Sequence, residues 1–322
     1  MPRRSPVVFT AFCLLVLARA AAADDYPSRP VRLICPQAAG GPTDFLSRVA
    51  ADQMSQILGQ PVVVDNRPGA STIIGAELVA KAKPDGYTLL MATITTFALN
   101  PSLFAKLSYD PLKDFVPVSL VAETPYFLIA TNTLPVHSVA ELIALAKAKP
   151  GTLNYGSPGI GTSTHLVGAL FAKMAGIDIR HVPYKAQAAA IVDLESGLIH
   201  LSFDGGGLPH IQNGQVRGLG VTTARRVAAA PEIPTIGEQG LPGFEASLWA
   251  GIAVPAGTPQ EVIDRLHGAI ARAMQMPEAR RRIETAGGQT IGGTPAAFST
   301  LIKADQAKWA AVVRESGVKI EE

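Results

Sequence analysis

Short apolar runs alternate with amphipathic stretches along most of this chain. Val31–Cys35 reads as a strand, broken by the sequence PQAAGG over 36–41. From Asp44 the period lengthens to that of a helix, with Phe45, Leu46, Val49, Ala50, Met54, Ile57 and Leu58 on one face and Gly59 as the stop. Pro61–Val64 is the next strand, 66–69 a turn, Ile73–Lys83 a helix and Thr88–Thr93 a strand. Ser138 with Glu141 forms a capping box. Thr258, Pro259 and Glu261 supply a cap, a first-turn proline and an acceptor. Thr294-Pro295 opens a C-terminal helix carrying Phe298, Leu301, Ile302, Trp309 and Val312. Strands that feed helices predict an α/β fold of mostly parallel sheets with helices on both faces, and ligands at the carboxyl ends of the strands.

Val7–Ala18 departs from this pattern as one mostly apolar run, preceded by Arg3 and Arg4 and followed by Ala20–Ala23 and two aspartates. It is short of the ~20 residues a membrane span needs, and the order reads as a secretory signal peptide cut after Ala23. Loss of 1–23 removes Arg3, Arg4, Arg19 and no acid, so the formal net charge moves from +2 to −1. No strong basic field then invites nucleic acid. Of the two cysteines only Cys35 stays, read as a buried small hydrophobe with no disulfide partner. With 322 residues, 48% hydrophobic and 17% charged, the chain is too apolar for disorder and long enough for about two domains.

Three loops combine glycine and hydroxyl residues at strand ends. Gln37–Asp44 joins the first strand to the first helix, and reads either as a tight turn capped by Thr43 or Asp44 or as a close backbone approach to a ligand. Residues 155–164, YGSPGIGTST, crowd a helix N-terminus with donors suited to a carboxylate, or with a hydroxyl cap alone. The third is 93–96, TITT. None contains Lys or Arg, so an anion here would be held by oriented dipoles, which favours reversible carboxylate capture over phosphoryl chemistry. No Walker pattern, GxGxxG or HExxH is present, so neither a cofactor nor a metal is expected. Ser157 and His165 suggest a secreted esterase only weakly, because GxSxG is absent and no acid can be assigned to orient the histidine. His165 itself reads as packed and hydrogen-bonded.

These loops, together with LGQPVVVDNRPGA (58–70), PDGYTLL (84–90), YDPLKDFVPVSLVA (109–122), LNYGSPGIGTSTHL (153–166), HVPYK (181–185) and VPAGTP (254–259), resemble the Bug family of periplasmic receptors for tripartite tricarboxylate transporters. The resemblance covers nearly the whole chain beyond the signal segment. It implies a two-lobed flytrap of the type II periplasmic binding proteins, with one lobe from 24–123 and 249–322 and the other from 124–248. It also implies a ligand carboxylate held between the lobes. Ala38, Ala39, Gly40 and Gly41 would contact it through backbone or water. Thr43, Asp44, Thr93 and Thr95 would line the same lobe. Ser157, Gly159, Gly161, Thr162 and Ser163 would face them, with Tyr184 and Asp204 at the wall. The chain departs from its relatives at Gln37, Ala186 and Gly205, which border that pocket. Gln37 could bond a ligand tail or cap its loop, and Asp204 could accept a ligand ammonium or cap the following turn. The expected function is therefore a non-catalytic, monomeric binding protein of the periplasm. It would hand a small carboxylate to integral membrane transporter subunits, or alternatively present it to a signalling receptor.

Overall fold

The computed structural model describes residues 26–316; the expected signal segment, with Cys13, lies outside the described residues. The strands are β1 (Val31–Cys35), β2 (Val62–Asn66), β3 (Thr88–Thr93), β4 (Phe115–Pro125), β5 (Phe127–Ala130), β6 (Leu153–Ser157), β7 (Ile179–Pro183), β8 (Leu201–Asp204), β9 (Arg217–Val221), β10 (Ser247–Pro255) and β11 (Gln289–Thr290). The α-helices are α1 (Pro42–Leu58), α2 (Ile73–Ala80), α3 (Asn100–Leu103), α4 (Val139–Ala148), α5 (Ser163–Ala175), α6 (Gln187–Ser196), α7 (Leu208–Gln212), α8 (Gln260–Gln275), α9 (Pro277–Thr285) and α10 (Pro295–Ser316). They build a six-stranded sheet, β11-β4-β10-β3-β1-β2, and a five-stranded sheet, β7-β6-β8-β5-β9.

Both sheets are mixed rather than mostly parallel. β1 pairs in parallel with β2 and β3, and β6 with β7 and β8; β10 runs antiparallel to β3 and β4, and β5 to β8 and β9. The cause is the chain crossing between sheets. β4 continues into β5 through Tyr126, so β5 runs away from the first sheet, and β10 comes back after β9. The outgoing and returning strands must oppose each other. The register fixes the consequence: Pro125 lies opposite Ser247 and Thr93 opposite Ala250, while Phe127 lies opposite both Asp204 and Val221. The carboxyl ends of β1, β2 and β3 therefore point toward the second sheet, and those of β6, β7 and β8 toward the first.

Burial follows the two-residue period of a strand. Val31 and Leu33 of β1, with Leu89 and Met91 of β3, pack against Met54 of α1 and Ile270 of α8 on one face. Ile34, Leu90 and Ala92 point to the other face, into a cluster with Phe97, Trp249, Phe298 and Trp309 that continues to Leu128, Tyr155 and Phe171 of the second sheet. α10 lies along this continuous core. Phe298 meets Trp249 edge-on at 5.5 Å, and Glu315 pairs with Lys173 of α5. Cys35 is a buried free thiol with 0% exposure.

Two of the expected caps form. Ser138 Oγ accepts from the Glu141 amide at 3.1 Å, and Thr294 Oγ1 from the Ala297 amide at 3.2 Å. Glu141 reaches one residue further back than a capping box requires and takes the His137 amide at 2.7 Å. Thr258 is not the cap of its helix. Pro259 holds that position without a side-chain bond, because the Thr258 hydroxyl donates to the Pro255 carbonyl at 2.7 Å and closes the turn that leaves β10.

Candidate functional site

The facing strand ends bring six loops to one cleft. Residues 36–41, 67–72 and 94–99 follow β1, β2 and β3; residues 158–162, 184–186 and 205–207 follow β6, β7 and β8. Beside two of these loops, 36–41 and 205–207, lies a cavity of about 410 Å³ that draws Gly40, Gly41, Pro42 and Phe45 from one side, Gly205, Gly206 and Leu208 from the other, and Thr124 from beside the crossing. A larger depression beside Tyr109 and Leu112, about 550 Å³, lies on the surface away from these loops.

The first loop is organised by Asp44, which is 3% exposed. Its carboxylate accepts from the Gly40 amide at 2.9 Å, from Arg48 Nε at 3.0 Å and from Asn66 Nδ2 at 2.9 Å. The same Asn66 amide reaches the Gln37 carbonyl at 3.0 Å. Arg48 lowers the Asp44 carboxyl to about 2, with the Gly40 and Asn66 bonds adding to the effect against burial. Asp44 thus folds the loop back on the end of β2. Ala38, Ala39 and Gly40 are exposed, and Gln37 and Gly41 half-buried. α1 begins at Pro42 behind Gly41, which provides no side-chain cap, so first-turn amides remain without one. Thr43 is buried at 1%. Close packing supports the loop from behind: a Cβ at Gly75 of α2 would stand 2.8 Å from Pro36 Cβ and 2.9 Å from its Cα.

The loops after β2 and β3 are joined by a buried polar network. Thr93 and Thr96 hydroxyls lie 3.0 Å apart, and Thr96 donates to Thr72 Oγ1 at 3.0 Å. Asn100 Nδ2 donates to the Ser71 carbonyl at 2.7 Å, and Tyr109 OH to the Thr96 carbonyl at 2.6 Å. Thr93 is 0% exposed and Thr95 half-buried at the start of a π-helical turn over Thr95–Leu99. Ala70, Ser71 and Thr72 all have positive φ, at 44°, 50° and 75°. Three consecutive non-glycine residues in the left-handed region are strained, and the Asn100 bonds hold them there. The sequence pattern gave no sign of this segment beyond its place after a strand, which puts it on the same rim.

Across the cleft, Ser157 points inward with 0% exposure. Its hydroxyl lies 2.6 Å from His181 Nε2 and 3.0 Å from the Gly159 carbonyl. Thr162 caps α5, accepting from the His165 amide at 3.4 Å and donating to the Gly159 carbonyl at 2.7 Å. His165 Nδ1 accepts from the Gly161 amide at 3.0 Å, so its ring proton sits on Nε2. The rings of His165 and His181 stack at 3.7 Å. Burial lowers each to about 4, His165 adding to the effect on His181. His165 is packed and bonded, as expected; His181 is the residue the sequence reading passed over. A Ser157–His181 pair has the spacing of a nucleophile and base. But Ser157 is buried, and among the described residues no carboxylate hydrogen-bonds His181, whose depressed basicity suits it poorly to take a proton at neutral pH.

The histidine pair predicts how stability follows pH. Folded values near 4 lie below the ordinary 6.5, so between these values the unfolded chain binds protons that the folded one refuses. Stability should fall as pH drops from about 6.5 toward 4, by several kcal/mol for the two rings together, less than their full shifts because solvent screens part of each. Below 3.8 protonation of Asp44 removes more. Urea unfolding at pH 7.5 and 4.5 measures it, and replacing both histidines with glutamine should remove most of the loss in the upper window, the rest belonging to His200, which burial also lowers.

The remaining wall residues are held by their own neighbours. Tyr184 OH donates to Asp193 at 2.7 Å, and burial, then Asp193, pushes the phenol up to about 12. Asp204 Oδ1 accepts the Gly206 amide at 3.0 Å in the turn expected for it, and burial raises its carboxyl. Tyr126, in the crossing between sheets, is 2% exposed, with Ser163 beside its phenol. Of the residues singled out from sequence, Gly40 and Gly41 line the cavity; Gln37, Ala38, Ala39, Thr43, Asp44, Thr93, Thr95, Ser157, Gly159, Gly161, Thr162, Ser163, Tyr184 and Asp204 are not among its wall residues. Phe45, Leu46, Leu208 and Ile283 are; the sequence pattern placed Phe45 and Leu46 on the apolar face of the first helix and marked neither Leu208 nor Ile283.

Comparison with known proteins agrees with this architecture. A structure of R. palustris Rpa4515 with adipate superposes with a TM-score of 0.81 at 37% identity, covering 92% of this chain and 100% of that one. MatC from Rhodopseudomonas palustris with bound malate gives 0.76 at 31% identity, over 89% and 100%. BugT of Bordetella pertussis is 36% identical over 307 residues, 94% of each chain. Residues 46–318 match the family described as tripartite tricarboxylate transporter family receptor. With the fold, the facing loops and these relatives in agreement, the chain belongs to the tripartite tricarboxylate transporter receptor family, in which Bug proteins are its homologues.

Proposed function

We propose that this protein is a periplasmic solute-binding receptor that captures a small organic acid between two lobes and delivers it to the integral membrane subunits of a tripartite transporter, without chemistry of its own. The observation that carries the reading is the uncapped start of α1, a 17-residue helix, opening beside Gly40 and Gly41 on the interlobe cavity. Amides at a helix start favour an anion, and the macrodipole adds to them. The adipate and malate held by the two R. palustris relatives are both carboxylates, which supports the same chemistry. The lobes, 24–123 with 249–322 and 124–248, would move about the crossings at Tyr126 and before Ser247, and an acid touching both would favour the closed population. Gln37–Gly41, Thr43, Thr93 and Thr95 would serve from one lobe, and Ser157–Ser163 with Tyr184 and Asp204 from the other. Asp44, paired with Arg48, would shape its loop rather than repel the ligand.

Calorimetry on refolded, ligand-stripped monomer against a panel of organic acids tests this. Saturable one-to-one binding is expected, and no binding by any acid would remove the proposal. Thr162→Val should cost about 1 kcal/mol of stability through the lost cap. It should also weaken the ligand several-fold, because the loop over Gly159 loses its hydroxyl tie. An unaltered melt together with an unaltered Kd would place the second half of the site elsewhere.

A further inference from the structure

We infer that the acid taken by this receptor has an apolar, unhydroxylated body seated in the interlobe cavity; this deepens, and rests on, the carboxylate reading above. The cavity's 410 Å³ falls in the ~300–1,000 Å³ range of small-molecule sites. Among the described residues no Asp, Glu, Lys, Arg or His lines it. Its apolar wall is Phe45 and Leu46 from α1, Leu208 and Pro209 from α7, and Ile283 and Ala286 at the end of α9. Leu46, Leu208 and Ile283 are 3%, 6% and 0% exposed and back the wall from the cores, so the apolar surface open to a ligand is that of Phe45, Pro209 and Ala286. Arg282 stands 5.8 Å from the Phe45 ring, yet its guanidinium is tied to the exposed Asp52 at 2.9 Å. The polar side chains of the lining are Thr124, Gln212 and Thr285. The last two are exposed, which leaves Thr124 as the one buried hydroxyl in the wall.

A ligand placing its carboxylate at the Gly41 amide extends its body past Phe45 toward Pro209 and Ala286. Methylenes or a ring there lose water to an apolar surface. A hydroxyl there loses water with few partners to replace it, Thr124 beside the crossing and Gln212 and Thr285 at the exposed edge, a penalty of roughly tenfold in affinity. The glycines at 40, 41, 205 and 206 leave room for a body as broad as a ring, since they put no side chain into the space.

The test is calorimetry on the refolded, ligand-stripped protein with matched pairs: hexanedioate against its tetrahydroxy counterpart, and phenylacetate against mandelate. Short dicarboxylates complete the panel. We expect the unhydroxylated member to bind about tenfold or more tightly, with a more negative heat-capacity change. Phe45→Ser and the exposed-site variant Ala286→Asn should narrow that gap while retaining a native melt. Equal or tighter binding of the hydroxylated members overturns the inference and leaves carboxylate capture standing. An unchanged gap in both variants also overturns it, because the apolar body then lies elsewhere. Absence of binding by every acid in the panel overturns both.

Discussion

Asp44→Ala should lower the unfolding free energy by about 2–3 kcal/mol and weaken carboxylate binding at least tenfold. The carboxylate answers the Gly40 amide, Asn66 Nδ2 and the Arg48 guanidinium together. Alanine removes two charge-assisted bonds, leaving the Gly40 amide to water and Asn66 Nδ2 with the Gln37 carbonyl alone, at ~1 kcal/mol or more each. The Arg48 contribution is smaller, since that side chain is 50% exposed and water screens the pair. The larger consequence is local. Gly40 has φ 83° and no packing partner within 4 Å of its missing Cβ, so Asp44 is what restrains it. Freed of that bond, Gly40 and Gly41 sample many conformations, and the amides must be reordered on binding. Asp44→Asn keeps one acceptor and should recover about half of the stability. Urea unfolding and calorimetry on both variants decide it. A wild-type melt for Asp44→Ala would mean that the loop is held by something else.

Gly168→Ala should destabilise the protein by about 2 kcal/mol, against what its helical setting suggests. Gly168 lies inside α5, where alanine is intrinsically better by ~1 kcal/mol. An added Cβ would stand 2.2 Å from Tyr155 Cε2 and 2.7 Å from Cδ2 and Cζ. That ring cannot step aside easily. It is 3% exposed, its hydroxyl donates to the His165 carbonyl at 3.1 Å, and it packs on His181 at 5.1 Å. Overpacking in such a core costs ~1–3 kcal/mol and sometimes more, which outweighs the propensity gain. The helix start carrying Thr162 and Ser163 should shift with α5, so ligand affinity falls too. In combination with Tyr155→Ala, the Gly168 substitution should lose its penalty, and the two effects should be strongly non-additive. A stability gain for Gly168→Ala alone would show that the ring yields.

Some of the site could be read from residues directly. The glycine and hydroxyl runs at 37–44 and 155–164 mark loops at helix starts, because only small residues tolerate those backbones and only hydroxyls cap them cheaply. Their internal wiring was not legible. Ser157 turns inward to His181, a residue 24 positions away that only the parallel β6–β7 pairing brings alongside. Thr258 looked like a helix cap on local grounds, yet the Pro255 carbonyl was nearer. The apolar cavity wall was invisible for a different reason. Phe45, Leu208 and Ile283 carry the same pattern whether they face a core or a cleft, and burial periodicity does not separate the two.

What the chain determines by itself is the strand and helix alternation from Val31 to Thr93, the helix starts at Ser138, after 155–164 and at Thr294, and the family signature. These depend on near-neighbour preferences: the two- and 3.6-residue periods, glycine stops and prolines at helix starts. The tertiary structure alone decides that β4 and β10 cross between sheets and make them mixed, that the strand ends oppose one another, and that Asp44 meets Asn66 and Gly168 meets Tyr155. Those outcomes arise from contacts between residues distant in sequence, whose energies exceed local preference only once the surrounding surface is buried.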